Sequence, residues 1–385
     1  IESLPFMESI RQLSLQVGYH NHMLVHVTLL PFVKASGELK SKPTQHSVMK
    51  LREIGLSPDM ILCRSELPIE QSVRDKIALF CNVPPSHVIE GRDVSSIYEV
   101  PLAIYKQKAG RLIKDRLKIK KTPQLGTLKD FIKNYKNPKY EVTIAMCGKY
   151  TELPDSYKSV MEAFVHAGVE NNAKVNIKWI QTEKIKNSKD VKNVFSNVNG
   201  VLILPGFGSR GSEGKIKIVK YSREQMVPFL GICLGLQCAI IEFARNACKM
   251  RGANSTEFNA QTKYPVIDLM ESQRAIKIKG GTMRLGAYDC QIKTGTRTYA
   301  AFRKKKISER HRHRYEVNNK YKKILEKNGL IFSGVNQALN VVETIEVKNH
   351  PWFVASQFHP ELKSRINRAH PLFREFIKAA VKNRS

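Results

Sequence analysis

The sequence predicts an α/β protein of two domains, each built on a mostly parallel sheet flanked by helices. Short apolar runs typical of buried strands alternate along the chain with amphipathic segments that have helical spacing. This alternation is typical of parallel sheets covered by helices on both faces. The length of 385 residues suits two ordinary domains, each large enough to bury its own core.

The first part of the chain alternates two strand-like runs with two helix-like segments. The strand-like runs are residues 22–31 and 60–63, and the helix-like segments are residues 47–54 and 72–81. Residues 110–140 are basic and polar and are interrupted by Pro123 and Pro138. This composition indicates a helix followed by a linker.

A second α/β unit opens with the strand-like run 140–150. Two short apolar runs, 202–205 and 229–232, are predicted as buried strands, and 236–245 is predicted as the helix that follows. We therefore predict three parts. They are a first domain at 1–119, a linker at 120–139 and a second domain at 140–385.

Cys233 is the most informative residue of the second domain. It lies between a predicted strand and a predicted helix, where Gly231 and Gly235 relieve the crowding of a sharp turn. A helix N-terminus favours a thiolate, so the position suits a nucleophile. Taken alone, a glycine-flanked cysteine is more often a buried core residue than a nucleophile. The distant His359 and Glu361 favour catalysis, because an imidazole could accept the thiol proton and the carboxylate could orient it.

Cys233 with its glycines, together with His359-Pro-Glu361, resembles the signature of class I glutamine amidotransferases. Further segments, in the same order, resemble motifs of the CTP synthase family. In the second domain these are residues 253–258, 280–286, 309–318 and 349–353. In the first domain they are residues 1–6, 35–46, 76–83 and 93–98. The resemblance extends over nearly the whole chain.

The resemblance implies a partial P-loop-type synthetase domain followed by a flavodoxin-like class I glutamine amidotransferase domain. The implied reaction is the ATP-dependent amination of UTP to CTP, with ammonia from glutamine hydrolysed at Cys233. It also implies Mg²⁺ with ATP, GTP as allosteric activator, CTP as inhibitor and a homotetramer.

We expect the chain to be an N-terminally truncated fragment. The family's phosphate-binding loop and principal magnesium-binding acids lie upstream of the segment that residues 1–6 resemble. The sequence contains no Gly-x-x-x-x-Gly-Lys-Ser/Thr motif, and we expect no metal ligands in it. Two other interpretations stay open: a free-standing glutaminase-like protein, or a non-catalytic fragment that binds nucleotide or joins assemblies.

Within the amidotransferase domain, the resemblance implies a role for eight residues. The catalytic residues are Cys233, His359 and Glu361, the oxyanion donors belong to Gly206 and Leu234, and the glutamine-binding residues are Gln237, Glu257 and Arg314. From spacing alone, Gln237 could be a helix-surface residue, Glu257 a solvated acid and Arg314 one arginine of a basic loop.

The loop at Gly206 departs from the family pattern. The family carries two glycines between the proline and the phenylalanine of this loop, whereas this chain has Pro205-Gly206-Phe207. Because glycine can adopt the positive φ that turns an N–H toward a substrate, the shortening is expected to displace one oxyanion donor.

The resemblance implies two nucleotide sites in the first domain. Residues 40–45 carry two lysines and several hydrogen-bonding side chains, a composition that suits a polyphosphate. The residues implied to bind UTP or CTP are Glu2, Lys40, Lys42, Thr44, Gln45, Lys76 and Phe80, and those implied to bind ATP are Arg64, Asp93 and Val94. Without the resemblance, Lys42 and Lys76 would be interpreted as solvated surface charges.

Composition limits the other function classes. The seven cysteines form no Cys-x-x-Cys pair and are odd in number, which favours a reducing cytoplasm over a disulfide framework or a zinc site. No signal peptide and no membrane span are predicted, since the longest apolar stretch is interrupted by Pro228, Gln237 and Glu242.

The formal charge of +30 comes from 64 basic and 34 acidic residues. The excess is spread along the chain and no standard nucleic-acid motif accompanies it, so we expect no nucleic-acid partner. Two blocks are densely basic, residues 106–139 and 303–306. Polyanion binding remains a distant alternative to a merely basic surface.

Overall fold

The computed structural model describes residues 2–149, 151–269 and 283–384. Of the segments that resemble family motifs, residues 1 and 280–282 lie outside the described residues. The chain forms two compact units, Ile1–Ile132 and Lys133–Ser385. Both have parallel strands covered by helices, which confirms the predicted fold class.

The first unit contains a three-stranded parallel sheet in the order β1-β4-β5. In chain order, this unit and the connection after it contain α1 (Leu4–Val17), β1 (Val25–Leu29), β2 (Phe32–Val33), β3 (Glu38–Leu39), α2 (Lys42–Glu53), β4 (Met60–Ser65), α3 (Gln71–Cys81), β5 (Val88–Arg92), α4 (Val100–Lys106), α5 (Ala109–Arg116) and α6 (Gly126–Lys136).

The predicted strands and helices of this unit are present, with different limits. Helix α2 starts five residues before the predicted helix, because Pro43 fits the first turn of a helix, where no N–H partner is needed. Helix α6 lies within the residues predicted as a linker, between the two prolines, and buries Phe131 and Ile132. The linker boundaries themselves stay a prediction.

The second unit contains a nine-stranded sheet in the order β13-β12-β15-β16-β17-β9-β8-β6-β7. Its elements are β6 (Tyr140–Gly148), α7 (Lys158–Glu170), β7 (Ala173–Gln181), α8 (Ser188–Phe195), β8 (Gly200–Ile203), α9 (Ser212–Glu224), β9 (Phe229–Ile232), α10 (Leu234–Asn246), β10 (Ala253–Ser255), β11 (Tyr264–Leu269), β12 (Arg284–Ile292), α11 (Arg297–Phe302), β13 (Lys306–His313), β14 (Tyr315–Val317), α12 (Lys322–Lys327), β15 (Leu330–Asn336), β16 (Val341–Val347), β17 (Phe353–Ser356) and α13 (Pro371–Lys382).

The strands β17, β9, β8, β6 and β7 are parallel to one another, and the remaining four extend the sheet in antiparallel fashion. All residues of β8, β9 and β17 are buried. One face packs against α9 and α10, and the other packs against α7 and α13. Continuous apolar strands are therefore expected here, because both faces of the sheet are covered.

A buried charge cluster supports the antiparallel part of this sheet. Arg284 donates to Glu316 at 2.9 Å and to Glu343 at 2.7 Å, and His311 Nε2 lies 2.6 Å from the second oxygen of Glu343. The backbone carbonyl of Glu343 also accepts the N–H of Gln357 at 2.8 Å. The cluster thus fixes the strand next to the segment that carries His359.

Candidate active site

The carboxyl ends of four neighbouring parallel strands meet at one edge of the large sheet. Cys147 of β6 pairs with Ile203 of β8, Ile203 pairs with Gly231 of β9, and Ile232 pairs with Ser356 of β17. Sites in open α/β sheets form outside the carboxyl ends of the strands. The segments that follow these four strands carry Lys149, Gly206, Cys233 and His359.

Cys233 occupies a strained turn between β9 and α10. Its backbone has φ 55° and ψ −100°, a conformation that a residue with a side chain rarely adopts. A Cβ on Gly231 would lie 2.8 Å from the Gly235 carbonyl carbon, and one on Gly235 would lie 2.7 Å from the carbonyl oxygen of Ile203. Both glycines are therefore required by close backbone packing, as the sequence predicted.

His359 and Glu361 form the predicted pair beside this turn. His359 Nδ1 lies 2.7 Å from Glu361 Oε1, and the His359 backbone N–H donates to the Arg310 carbonyl at 2.8 Å. Burial lowers the pKa of His359, but its interactions with the Cys233 and Glu361 side chains outweigh burial and raise the pKa to about 10. The Nε2 atom has no hydrogen bond of normal geometry within the described residues. Catalytic hydrogen bonds are often this loose before substrate binds.

Two glutamines surround the thiol from the side of the sheet. Gln357 Nε2 lies 3.7 Å from Cys233 Sγ, and Gln237 Nε2 lies 3.4 Å from Gln357 Oε1. Gln237 also donates to the Tyr315 carbonyl at 3.1 Å and is 3% exposed. Gln237 is thus an inward-facing residue of α10 and not a helix-surface one. Gln357 has a position at the thiol that the sequence did not predict.

The shortened glycine loop is held on two sides. Lys149 Nζ donates to the Phe207 carbonyl at 2.6 Å, and the Gly208 N–H donates to Glu257 Oε1 at 2.7 Å. The left-handed residue of this turn is Gly208, with φ 74°, while Gly206 has no positive φ. The expected displacement of an oxyanion donor at Gly206 stays a prediction.

The predicted glutamine ligands lie near this loop. Burial raises the pKa of Glu257 despite the Gly208 N–H, and the positive charges of Lys149 and Arg314 act against the rise. Glu257 and Arg314 therefore influence each other electrostatically. Leu234 is the first residue of α10, where a backbone N–H has no helical partner. The roles of these residues stay predictions.

Lys149 was not singled out from the sequence. The sequence feature that could have pointed to Lys149 is its position directly after β6. The segments after the neighbouring strands β8, β9 and β17 carry Gly206, Cys233 and His359. Lys149 is 9% exposed, and burial, followed by the nearby Arg210, lowers its pKa. A lysine buried this deeply needs a partner, and the Phe207 carbonyl supplies one.

Of the predicted nucleotide residues, Lys42, Thr44 and Gln45 lie on α2, and Lys76 and Phe80 lie on α3. Arg64 lies in β4, Asp93 and Val94 follow β5, Lys40 lies between β3 and α2, and Glu2 precedes α1. Lys40 pairs with Glu38, whose pKa is lowered chiefly by Lys40 and also by Lys76. Arg64 and Asp93 lie 3.1 Å apart as an exposed ion pair.

The remaining predicted residues of this unit differ in exposure. The buried hydroxyl of Thr44 contacts the Thr28 hydroxyl and the Leu29 carbonyl, both at 3.1 Å. Gln45 donates to Ser41 Oγ at 3.0 Å. Glu2, Lys42, Lys76, Phe80 and Val94 are exposed.

Three further observations concern the cysteines, metal-binding clusters and membrane-spanning helices. All seven cysteines are free. Across residues 2–149, 151–269 and 283–384, no group of three or more His, Cys, Asp or Glu could hold a metal ion. In the same part of the chain, no helix has the length and apolar character needed to cross a membrane.

Comparison with known families first defines the class of protein. Residues 152–379 match the family described as glutamine amidotransferase class-I, and residues 1–119 match the family described as CTP synthase N-terminus. A solved glutaminase domain of Trypanosoma brucei CTPS with bound acivicin is 32% identical, with a TM-score of 0.60 over 63% of this chain and 95% of that one.

Curated relatives then define the particular family. The CTP synthase of Chlorobaculum tepidum is 51% identical over 384 residues, which are 99% of this chain and 68% of the relative. The CTP synthase of Caldanaerobacter subterraneus is 52% identical over 382 residues, which are 99% of this chain and 71% of the relative. The chain therefore belongs to the CTP synthase family of glutamine-hydrolysing ligases.

Replacing Glu361 should change the pH dependence of glutamine hydrolysis. The carboxylate contributes to the raised pKa of His359, so the imidazolium persists from neutral pH up to about 10. In Glu361→Gln the His359 pKa should fall, and the alkaline limb of kcat/KM should move to lower pH. Glu326→Gln, an exposed acid of α12, is the control and should leave the profile in place. An unmoved limb in Glu361→Gln would contradict the pairing.

Removing the lysine contact to the glycine loop should lower kcat more than it raises KM. Lys149→Met leaves the Phe207 carbonyl without its donor, and the loop that is predicted to carry an oxyanion donor is then free to shift. Losing one such donor costs roughly 10² to 10³ in kcat, which sets the upper limit of the effect.

The matched control for this variant is Lys178→Met. Lys178 also donates to backbone carbonyls, those of Asn193, Val194 and Ser196, but on another segment. The Lys178→Met variant should lower thermal stability without changing kcat. Equal kcat values in wild type and Lys149→Met would show that the loop does not need this contact.

Proposed function

We propose that the second unit hydrolyses glutamine with Cys233 as nucleophile, His359 as general base and acid, and Glu361 as the group that orients His359. One observation supports this proposal above the others. The strained turn at the end of β9 places Cys233 beside a His359–Glu361 pair joined at 2.7 Å, on the neighbouring strand edge. Such a constellation activates a thiol for attack on an amide.

The proposed steps follow from these groups. The Cys233 thiol gives its proton to His359, and its sulfur attacks the side-chain amide carbon of glutamine. The oxygen that becomes negative is bound by the N–H of Leu234 and by the loop at Gly206. His359 gives its proton to the departing ammonia, which leaves a thioester on Cys233. His359 then accepts a proton from water as water attacks the thioester, and glutamate is released.

Three further residues are proposed to bind the amino and carboxylate groups of glutamine. Glu257 and Arg314 carry the charges that complement these groups, and Gln237 offers a polar side chain near the thiol. The electrostatic influence of Arg314 on Glu257 supports their placement at one substrate.

The first unit is proposed to bind the nucleotides of the family reaction, in which ATP activates UTP and ammonia converts it to CTP. We assign UTP and the inhibitor CTP to the basic groups near Glu38, which are Lys40, Lys42 and Lys76, together with Glu2, Thr44, Gln45 and Phe80. We assign ATP to Arg64, Asp93 and Val94.

The remaining family properties are proposed without residues. Mg²⁺ with ATP and GTP as activator are proposed from the family, and we assign residues to neither. A homotetramer in the cytoplasm is also proposed. The exposed apolar side chains of α1, including Leu4, Phe6 and Leu15 at 52%, 71% and 72% exposure, offer surface for assembly.

Selective labelling tests the nucleophile. A glutamine analogue with an electrophilic diazoketone in place of the amide should modify Cys233, which is 2% exposed. It should spare Cys248, which is the more accessible thiol and whose pKa burial raises to about 11. Peptide mapping reads the result, and excess glutamine should protect Cys233. Modification of the more accessible Cys248, with Cys233 unmodified, would contradict the assignment of Cys233 as the nucleophile.

A pair of lysine variants tests the UTP site. Lys42→Ala should weaken UTP binding by about tenfold or more, because a hydrogen bond to a charged group contributes roughly 1.5–3 kcal/mol. Lys50→Ala removes the same charge from the same helix, where Lys50 instead pairs with Glu53 at 2.7 Å, and should bind UTP as wild type does. Wild-type affinity of Lys42→Ala for UTP, measured by calorimetry, would contradict the assignment of Lys42. No UTP binding by the wild-type chain would favour a glutaminase-like protein without a UTP site.

A further inference from the structure

The side chain of Gln357 has no role in the proposed function, although it contacts the reacting sulfur. Gln357 directly follows β17, and its backbone N–H donates to the Glu343 carbonyl of β16 at 2.8 Å. The side chain is fully buried, and its Nε2 atom lies 3.7 Å from Cys233 Sγ, a hydrogen-bond distance for sulfur. A buried amide needs partners for its polar atoms. The meaning of this contact therefore depends on which amide atom faces the thiol.

A backbone carbonyl determines the orientation of this amide. The Tyr315 carbonyl can only accept a hydrogen bond, and it lies 3.1 Å from one amide atom of Gln237, which must therefore be the nitrogen. The same nitrogen lies 3.4 Å from an amide atom of Gln357. Because a nitrogen donor needs an acceptor, that atom is Gln357 Oε1, and the atom that faces Cys233 is Nε2. The thiol is thus approached by an N–H donor and not by an oxygen.

The two backbone groups that fix these amides come from strands joined by one buried arginine. Glu343 supplies the carbonyl that holds the Gln357 backbone, and Glu316 directly follows Tyr315 in β14. Arg284 donates to the carboxylates of both glutamates, at 2.7 Å to Glu343 and 2.9 Å to Glu316. The orientation of the Gln357 amide is therefore supported by the charge cluster of the antiparallel strands.

Two cations face the same sulfur. Although burial lowers the pKa of His359, its interactions with Cys233 and Glu361 raise that pKa to about 10. The ammonium group of Lys215, which lies on α9 and is 1% exposed, also interacts electrostatically with Cys233. Both groups favour a negative sulfur while they are charged. The Gln357 amide differs from them because it donates its N–H at every pH.

We propose that Gln357 is a catalytic residue whose Nε2 donates a hydrogen bond to the Cys233 sulfur and stabilises the thiolate, while Gln237 holds the amide in this orientation. The amide keeps its protons, since the thiol proton passes to His359. The bond acts twice, because the thiolate attacks glutamine and the sulfur leaves as a thiolate when the thioester is hydrolysed. The inference rests on the proposed function in that Cys233 is taken as the nucleophile.

Alkylation of Cys233 by iodoacetamide in the full chain tests the contact without glutamine turnover. Peptide mapping identifies the modified thiol, and the rate is followed down the acidic limb of its pH profile, where the thiolate is lost. Gln357→Met keeps the length of the side chain but has no donor. The limb should move to higher pH in this variant, and the rate on the limb should fall about tenfold. Gln357→Glu places a carboxylate at the sulfur and should move the limb further.

Two comparison variants separate this role from a structural one. Asn336→Leu removes another buried amide, which donates to the Asp289 carbonyl at 2.8 Å at the end of β15. It should lower thermal stability and leave the alkylation profile in place. Gln237→Leu frees the Gln357 amide to turn, so the limb should move in the same direction as in Gln357→Met but by less. This variant and Gln357→Glu keep the test valid if Gln357→Met does not fold.

The outcomes distinguish this inference from the proposed function. A reactive Cys233 with the same profile in the wild type and Gln357→Met would overturn the inference alone. An equal shift in Asn336→Leu would assign the effect to lost stability and would also overturn it. A Cys233 that does not react in the wild-type chain would overturn both, because neither a nucleophile nor a stabilised thiolate would then be present.

Discussion

The close backbone packing around Cys233 is the constraint on which the rest of the second unit depends. The chain passes from β9 into α10 through the turn at Cys233, which has φ 55°. The backbone can pack this closely only because Gly231 and Gly235 lack a Cβ. The strain is held by hydrogen bonds on both sides, since the Cys233 N–H donates to the Ser356 carbonyl at 2.7 Å and the Leu236 N–H to the Cys233 carbonyl at 3.0 Å. Backbone strain of this kind persists only where the surrounding contacts hold the residue in its strained conformation.

The same constraint explains why the other active-site groups come from separate parts of the chain. The turn fixes the thiol at the carboxyl edge of the sheet, so a partner must come from a strand whose carboxyl end is adjacent. The order of the parallel strands makes β8 and β17 these neighbours, and they lead to Gly206 and His359. The antiparallel strands beyond β17 do not extend this edge. They instead hold the Gln357 segment through the Arg284–Glu343 cluster.

Local patterns predicted the fold class, the principal strands and the sharp turn at Cys233, because each leaves a signal within a few residues. Contacts between distant segments leave no such signal. Lys149 and Gln357 could not be assigned from the sequence, since their roles arise from strand order in the sheet. The helix α6 was missed for a different reason, because its polar surface outweighed its two buried side chains in the composition.

The contact between Gly208 and Glu257 has a consequence for how substrate would enter. If Glu257 binds the amino group of glutamine, as proposed, one of its oxygens is already occupied by the loop that would bind the oxyanion. Because a carboxylate accepts several hydrogen bonds at its two oxygens, the second oxygen of Glu257 could take the ammonium group while the first keeps the loop. One side chain would then hold both the amino end of the substrate and the loop at the reactive centre. Loss of the Glu257 charge would weaken recognition of the amino acid and loosen the loop together.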